Sequence, residues 1–254
     1  MSSTRVIAVA NQKGGVAKTT TVASLGSALA ELGQRVLLVD LDPQACLTFS
    51  LGIDPEVLDL SVHHVLTKGV PVTEVLATTE DGVDLLPATI ELARAEADLL
   101  TRTGREYVIR TFIEELGDEY DWVLLDCPPS LGVLTVAALT AATGVLIPLQ
   151  CETLSHRGVG QLLDTVHDVR RFTNRELEVW GVLPTLYDGR TTHARAVLET
   201  IADTYDLAVI EPPIPKSIRF AEAPAAGRSI LSTAGTNKGA EAYRQVAANL
   251  LKRD

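Results

Sequence analysis

Lys13-Gly14-Gly15-Val16-Ala17-Lys18-Thr19-Thr20 (KGGVAKTT) follows the apolar run VIAVA at residues 6–10 after only Asn11 and Gln12. A buried strand that delivers a glycine-containing turn into a helix is a ready anion site. Successive backbone N–H groups converge on phosphate oxygens, and the helix N-terminus adds a favourable dipole. In this pattern Lys18 reaches the β- and γ-phosphates and the Thr19 hydroxyl is placed to ligate Mg²⁺. Gly14, Gly15, Val16, Ala17 and Thr20 complete the cradle. The usual glycines six residues and one residue before the lysine are replaced by Gln12 and Ala17, and an additional lysine, Lys13, precedes Gly14 and Gly15.

Outward from the loop, strands and helices alternate. Strands are expected at Val6–Ala10, Arg35–Asp40, Val83–Leu86, Trp122–Asp126, Gly144–Leu149 and Leu177–Leu183, with a short one near Ala208–Ile210. Helices are expected at Thr20–Leu32, with Gly33 as its cap, and at Ile90–Leu100, Glu106–Leu116, Leu131–Ala142, Ser155–Phe172, Thr192–Tyr205 and Asn237–Leu251. Residues 44–80 read as short helical pieces. The near-continuous apolar strands are those of a parallel sheet covered on both faces. The expected architecture is therefore an α/β fold with a phosphate-binding loop (P-loop) after its first strand, the sheet mostly parallel, twisted and flanked by helices on both faces, with 1–254 as one domain.

Hydrophobic residues make up 46% of the 254, enough for one large core, and with only 4% aromatics that core must be built from Val, Leu, Ile and Ala. Cys46, Cys127 and Cys151 are odd in number and lack CxxC spacing, so they read as buried thiols in a reducing compartment. No apolar run is long enough to span a bilayer and the first strand begins without a leader, so a cytoplasmic protein is expected. The net charge of −11 argues against a global attraction to polyanions. The balance is uneven, however: residues 1–187 carry 13 basic and 25 acidic side chains, and residues 188–254 carry nine and eight. A polyanion surface must draw on the last quarter.

Ligands of open parallel sheets bind beyond the carboxyl ends of the strands. Three strands end there in chemistry: the loop itself, Asp40-Leu41-Asp42-Pro43-Gln44, and Asp126-Cys127-Pro128-Pro129-Ser130. Four apolar residues followed by Asp126 place a carboxylate beside Mg²⁺. Asp40 is assigned to the Mg²⁺ shell and Asp42 to positioning the attacking water. Lys13 is directed away from its own loop and could reach a phosphate in a facing subunit, as arginine fingers do; a solvated surface lysine is the alternative.

The segments ANQKGGVAKTTT (10–21), VLLVDLDPQ (36–44), VLLDCPPSLG (123–132), LPTLYDGRT (183–191), IPKSIRFAEAPAAGRSI (214–230) and NKGAEAYRQVA (237–247) together resemble the ParA/MinD group of deviant Walker ATPases, and within it the Soj-like ParA proteins. The resemblance extends over essentially the whole chain. It implies ATP and Mg²⁺ as ligands, a sandwich homodimer when ATP is bound with Lys13 acting across the interface, and slow hydrolysis assisted by Asp42. It also implies non-specific binding of double-stranded DNA by the dimer, stimulation by a ParB-type centromere-binding partner, and a nucleoid-associated location. Basic residues of the kind seen at Arg190, Lys216 and Arg219 contribute to the family's DNA face; Lys216 stands where an arginine is common. Pro213 and Pro215 are expected to shape a wall against the adenine. No operator-binding extension precedes the first strand, so specific DNA recognition is not expected.

Other readings differ in partner. An orphan ParA-like positioner would share the ATP chemistry and carry another cargo over the nucleoid. A MinD-like protein would end in a basic membrane-surface helix, but Tyr243, Val246, Leu250 and Leu251 have the spacing of a face docked on the domain. A reductase-type relative would need a cysteine pair bridging subunits. The five histidines show no metal-ligand spacing.

Overall fold

The computed structural model describes residues 4–152 and 155–253. Strand β1 (Arg5–Val9) leads through the loop into helix α1 (Lys18–Glu31), followed by β2 (Val36–Asp40). Two short helices, α2 (Cys46–Ser50) and α3 (Val62–Lys68), precede the hairpin β3 (Ala77–Thr78) and β4 (Asp84–Leu86). Then come α4 (Leu92–Leu99), α5 (Val108–Leu116), β5 (Trp122–Asp126), α6 (Val133–Ala141), β6 (Gly144–Gln150), α7 (Ser155–Phe172), β7 (Glu178–Thr185) and α8 (Thr192–Tyr205). The chain closes with α9 (Arg219–Glu222), α10 (Ile230–Thr233) and α11 (Lys238–Leu251). The sheet order is β3-β4-β2-β5-β1-β6-β7, parallel throughout except for the β3–β4 edge pair. The chain winds one way from β1 to β2 and the other way from β5 to β6, so the direction reverses around β1, the place where α/β sheets bind ligands.

The sheet divides the core in two. One side packs the faces of α3 to α8 around Leu37, Val39, Val123, Leu125, Val145 and Ile147. The other packs α1, α10 and α11 around Ile7, Val9, Leu38, Leu124 and Leu146. Helix α1 is enclosed on nearly every side, which explains its small residues: a Cβ on Gly26 would lie 2.6 Å from a Leu38 methyl. The expected docking of the C-terminal helix is observed. Asn237 caps α11 by accepting from the Gly239 N–H, Tyr243, Val246 and Leu250 are buried, and the Tyr243 hydroxyl meets Thr21 Oγ1 of α1 at 2.9 Å.

Two expectations are corrected. Ala208–Ile210 is no strand but a single parallel bridge from Val209 to Val182, flanked by two backbone hydrogen bonds. Its cause lies at Gly181 in β7, whose φ of +135° and close approach to the Ala208 carbonyl replace regular pairing. Cys46 is exposed at the start of α2, whereas Cys127 and Cys151 are buried as expected. The antiparallel β3 edge was not anticipated, because two residues carry no periodicity. No helix among the described residues is long and apolar enough to cross a membrane.

Truncating Tyr243 removes both packing and its bond to the phosphate-loop helix. Tyr243→Ala is expected to lower unfolding stability by about 3–5 kcal/mol and Tyr243→Phe by about 1 kcal/mol. Urea titrations followed by circular dichroism measure both. An Ala variant as stable as the wild type would show that α11 does not hold α1 in place.

Candidate nucleotide site

The loop after β1 is fixed before any ligand arrives. Asn11 is buried, donates from Nδ2 to the Pro148 carbonyl at the end of β6 (2.8 Å), and accepts the Lys13 N–H on Oδ1 (3.0 Å). Gly15 has φ +75° and Ala17, at the N-terminus of α1, has φ +66° and ψ +35°. The usual glycine at position 17 thus answers a real left-handed backbone, and this chain holds an alanine there at a modest conformational cost. At the far side of the loop the Thr185 hydroxyl, fully buried at the end of β7, donates to the Val16 carbonyl (2.9 Å). Neither Asn11 nor Thr185 was singled out from sequence. Their role is a matter of what they bridge, and Thr185 lies 169 residues from its partner.

Lys18 folds back beneath the loop, its Nζ donating to the Lys13 carbonyl at 3.3 Å. Burial lowers its pKa, and the nearby Asp126, Cys127 and Asp42 oppose that shift. Parallel registry sets Asp40 directly beside Asp126 at the ends of β2 and β5. Both side chains are buried, and burial pushes both pKa values up. Their environments then diverge. Asp40 is satisfied by protein: Oδ1 accepts the Asp42 N–H (3.1 Å), and Oδ2 accepts the Thr48 N–H (2.9 Å) and hydroxyl (2.7 Å). Asp126 has no hydrogen-bond partner for either oxygen, although the Thr19 hydroxyl lies near enough to favour its charged form. A buried, unpartnered carboxylate beside a threonine hydroxyl and a lysine is a position that a hard cation with oxygen ligands fits. Thr19 and Asp126 are the pair whose chemistry suits Mg²⁺ here. Asp40 has less to offer, since protein hydrogen bonds already engage both of its oxygens.

Asp42 is half-buried in the turn that starts α2, its Oδ1 accepting the Gln44 N–H (2.9 Å). Lys13 forms an ion pair with Glu152 of the same chain, after β6, at 2.5 Å. Pro213 and Pro215 lie on a segment laid along the end of β7: the Ile214 N–H donates to Pro184 O, and Tyr187 bridges Pro215. That bridge also sets the Arg190 loop alongside the Lys216–Arg219 segment. All three basic side chains are exposed, but Arg190 pairs with Asp188 through two hydrogen bonds and Arg219 with Glu222. The Arg190 guanidinium holds the Asp188 carboxyl down at about 2.

The fold also brings His63, His64 and Glu91 together, against the expectation from spacing. His64 Nδ1 accepts the Ser61 N–H as part of the α3 cap. In the neutral ring its Nε2 therefore carries the proton and has no lone pair for a metal. The cluster is a helix cap with an ionic neighbour.

A mostly parallel sheet whose strand β1 feeds a phosphate-type loop, with a lysine beneath it and carboxylates at the ends of β5 and of β2 beyond it, defines a P-loop nucleotide-hydrolase architecture. Residues 4–179 match the family described as an AAA domain. The sporulation initiation inhibitor protein Soj of Bacillus subtilis is 42% identical over 96% of this chain and 99% of its own. The chromosome-partitioning ATPase Soj of Thermus thermophilus is 45% identical over 98% and 96%. The chain belongs to the ParA/Soj-like P-loop ATPases. Among solved structures, a Mycobacterium smegmatis protein named cobyrinic acid a,c-diamide synthase, with bound ADP and magnesium, is 56% identical with a TM-score of 0.89, covering 98% of this chain and 95% of that one. The MinD protein of Pyrococcus horikoshii in complex with Mg-ADP is 25% identical with a TM-score of 0.79, covering 98% and 97%.

The unpartnered Asp126 makes a signed pH prediction. Its folded pKa is raised, so the ligand-free wild type loses stability as pH rises from the ordinary carboxylate value near 3.8 toward the raised one. Asp126→Asn carries no charge. Without Mg²⁺ it is expected to match the wild type at low pH and to gain on it as pH rises, while losing Mg²⁺-dependent nucleotide binding. Thermal melts across pH without metal, together with calorimetry with and without Mg²⁺, measure both. A variant that binds nucleotide with undiminished Mg²⁺ dependence would remove Asp126 from the metal site.

Proposed function

We propose that this protein is a partition-type ATPase: it binds Mg·ATP in the loop of residues 13–20, dimerises, and in that state binds double-stranded DNA without sequence preference. The observation that carries the nucleotide reading is the buried Asp126 carboxylate without a partner, next to Thr19 and Lys18 under a loop already shaped for phosphate. Thr19 and Asp126 would hold Mg²⁺, with Asp40 assisting from the outer shell, and the ion would supply neutralisation of charge on the phosphate oxygens. Lys18 binds the β- and γ-phosphates, Asp42 orients the attacking water, and Lys13 leaves Glu152 to reach the partner subunit's phosphate. Pro213 and Pro215 wall the base. The Soj and ParA names of the relatives support a role in chromosome or plasmid partition, with a ParB-type protein as the stimulating partner and the nucleoid in the cytoplasm as the place of action.

For DNA binding, Arg190, Lys216 and Arg219 form the proposed face, supported by their common exposure and by the bridge that sets their segments side by side. Exposed ion pairs of the Arg190 and Arg219 kind contribute little, so phosphate can displace the carboxylates. Dimerisation doubles the contacts, and affinity should fall steeply with salt.

The name of the Mycobacterium smegmatis protein raises an amide-forming alternative. Releasing ammonia from glutamine takes an activated thiol, and the environments here work against one: burial pushes Cys151 up to about 11 and raises Cys127 and Cys46 as well. The partition reading stands better on these residues.

Light scattering with Mg·ATP tests the cycle. Asp42→Ala is expected to bind ATP, hydrolyse it at least tenfold more slowly and accumulate as a dimer, whereas Lys18→Ala loses nucleotide affinity and Lys13→Ala loses hydrolysis. A monomeric Asp42→Ala protein at saturating ATP would overturn the sandwich mechanism. In gel shifts with unrelated duplexes, Arg190→Glu combined with Arg219→Glu is expected to weaken every duplex about equally. Unchanged binding would place the DNA surface elsewhere.

A further inference from the structure

We propose that Thr185 is a positioning residue that aims the Ala17 N–H into the phosphate cradle and makes the end of β7 the link between the nucleotide and the loop carrying Arg190. This inference rests on the nucleotide reading above and deepens it. Three observations carry it. First, Thr185 is completely buried, and its hydroxyl donates at 2.9 Å to the carbonyl of Val16, a residue with 1% of its surface exposed. In a trans peptide the C=O of one residue and the N–H of the next point in opposite directions. Holding the Val16 oxygen toward β7 therefore directs the Ala17 N–H the other way, toward the concavity where Lys18 begins α1. Second, Ala17 adopts the left-handed region at φ +66°, where an alanine is disfavoured. Nothing intrinsic to alanine holds that peptide plane, and the threonine supplies an external tether. Third, the residue after Thr185, Leu186, is also left-handed at φ +50°. It turns the chain directly into Tyr187, which donates to Ile214 O and bridges Pro215, and then into Asp188 and Arg190. One strained residue thus separates the tether on the phosphate loop from the segments proposed to meet the base and DNA. A change in the Val16–Ala17 plane is thereby passed to position 185, next to the left-handed Leu186.

The test uses the whole chain and Mg·ADP as the probe. Thr185→Val keeps shape and volume and removes the donor; Thr185→Ser keeps the donor; Thr185→Ala is a second donor-free variant, should the valine protein fail to fold. Calorimetry is expected to show Mg·ADP binding about tenfold weaker in the donor-free variants, the worth of one such hydrogen bond, and within about twofold of wild type for Thr185→Ser. The Ala17 amide resonance, followed by NMR, is expected to shift on ADP addition in the wild type and serine proteins and to shift little in the donor-free ones, which mere destabilisation would not produce. Undiminished ADP affinity in a folded donor-free variant, or a serine variant as weak as they are, would overturn the proposal. For the link to DNA, a donor-free variant at saturating ATP is expected to lose the ATP-dependent gain in duplex affinity. If the wild type itself shows no such gain, the DNA reading fails, and with it the link; the positioning role is then judged on ADP alone.

Discussion

Two carboxylates buried side by side, at the ends of adjacent parallel strands, are the constraint on which the rest of the molecule turns. Registry places Asp40 against Asp126, and neither reaches water. Such a pair is costly unless something answers it. The protein answers one member with its own atoms, through Thr48 and the Asp42 N–H, and leaves the other unanswered. The arrangement spends stability at the site where a cation and a polyphosphate are to be received, as buried polar groups at functional sites often do.

The same interaction reaches backward into the fold. Thr48 Oγ1 donates to Asp40 and also accepts the Ala88 N–H, joining the α2 segment to the chain that follows β4. Val62 N–H donates to Pro87 O, and the Ser61 and Thr89 hydroxyls meet. Residues 44–90, which lack long elements, are therefore tied together by the Asp40–Thr48–Ala88 chain of hydrogen bonds and by the contacts of 61–62 with 87–89.

This explains what could be read from sequence and what could not. The strands at Trp122–Asp126 and the helices at Ser155–Phe172 and Thr192–Tyr205 match their expected bounds because continuous apolar runs and amphipathic spacing are local signals. The loop, Lys18, Thr19 and the three aspartates were legible because their chemistry is tied to strand ends. Asn11, Thr48, Thr185 and Glu152 were not, since each acts on a residue or element distant in sequence. The bridge at Val209 escaped for a related reason: a glycine at 181 with an unusual φ decides it from the neighbouring strand. Likewise, the contact of His63 and His64 with Glu91 is set by how α3 packs against the start of α4, which no spacing rule encodes.

The ion pair between Lys13 and Glu152 would set the terms on which two copies meet in the proposed dimer. A lysine that arrives at an interface already holding a carboxylate does not create a new charge contact; it exchanges one partner for another. The net gain is the difference between a phosphate and a half-exposed glutamate, and the released Glu152 must find water or a new cation. Association built on exchange is close to balanced and readily reversed. Added salt weakens the bond being broken as well as the one being made. In the proposed cycle, where the ATP-bound dimer comes apart after hydrolysis, near-neutral trading of contacts would favour turnover over tenacity.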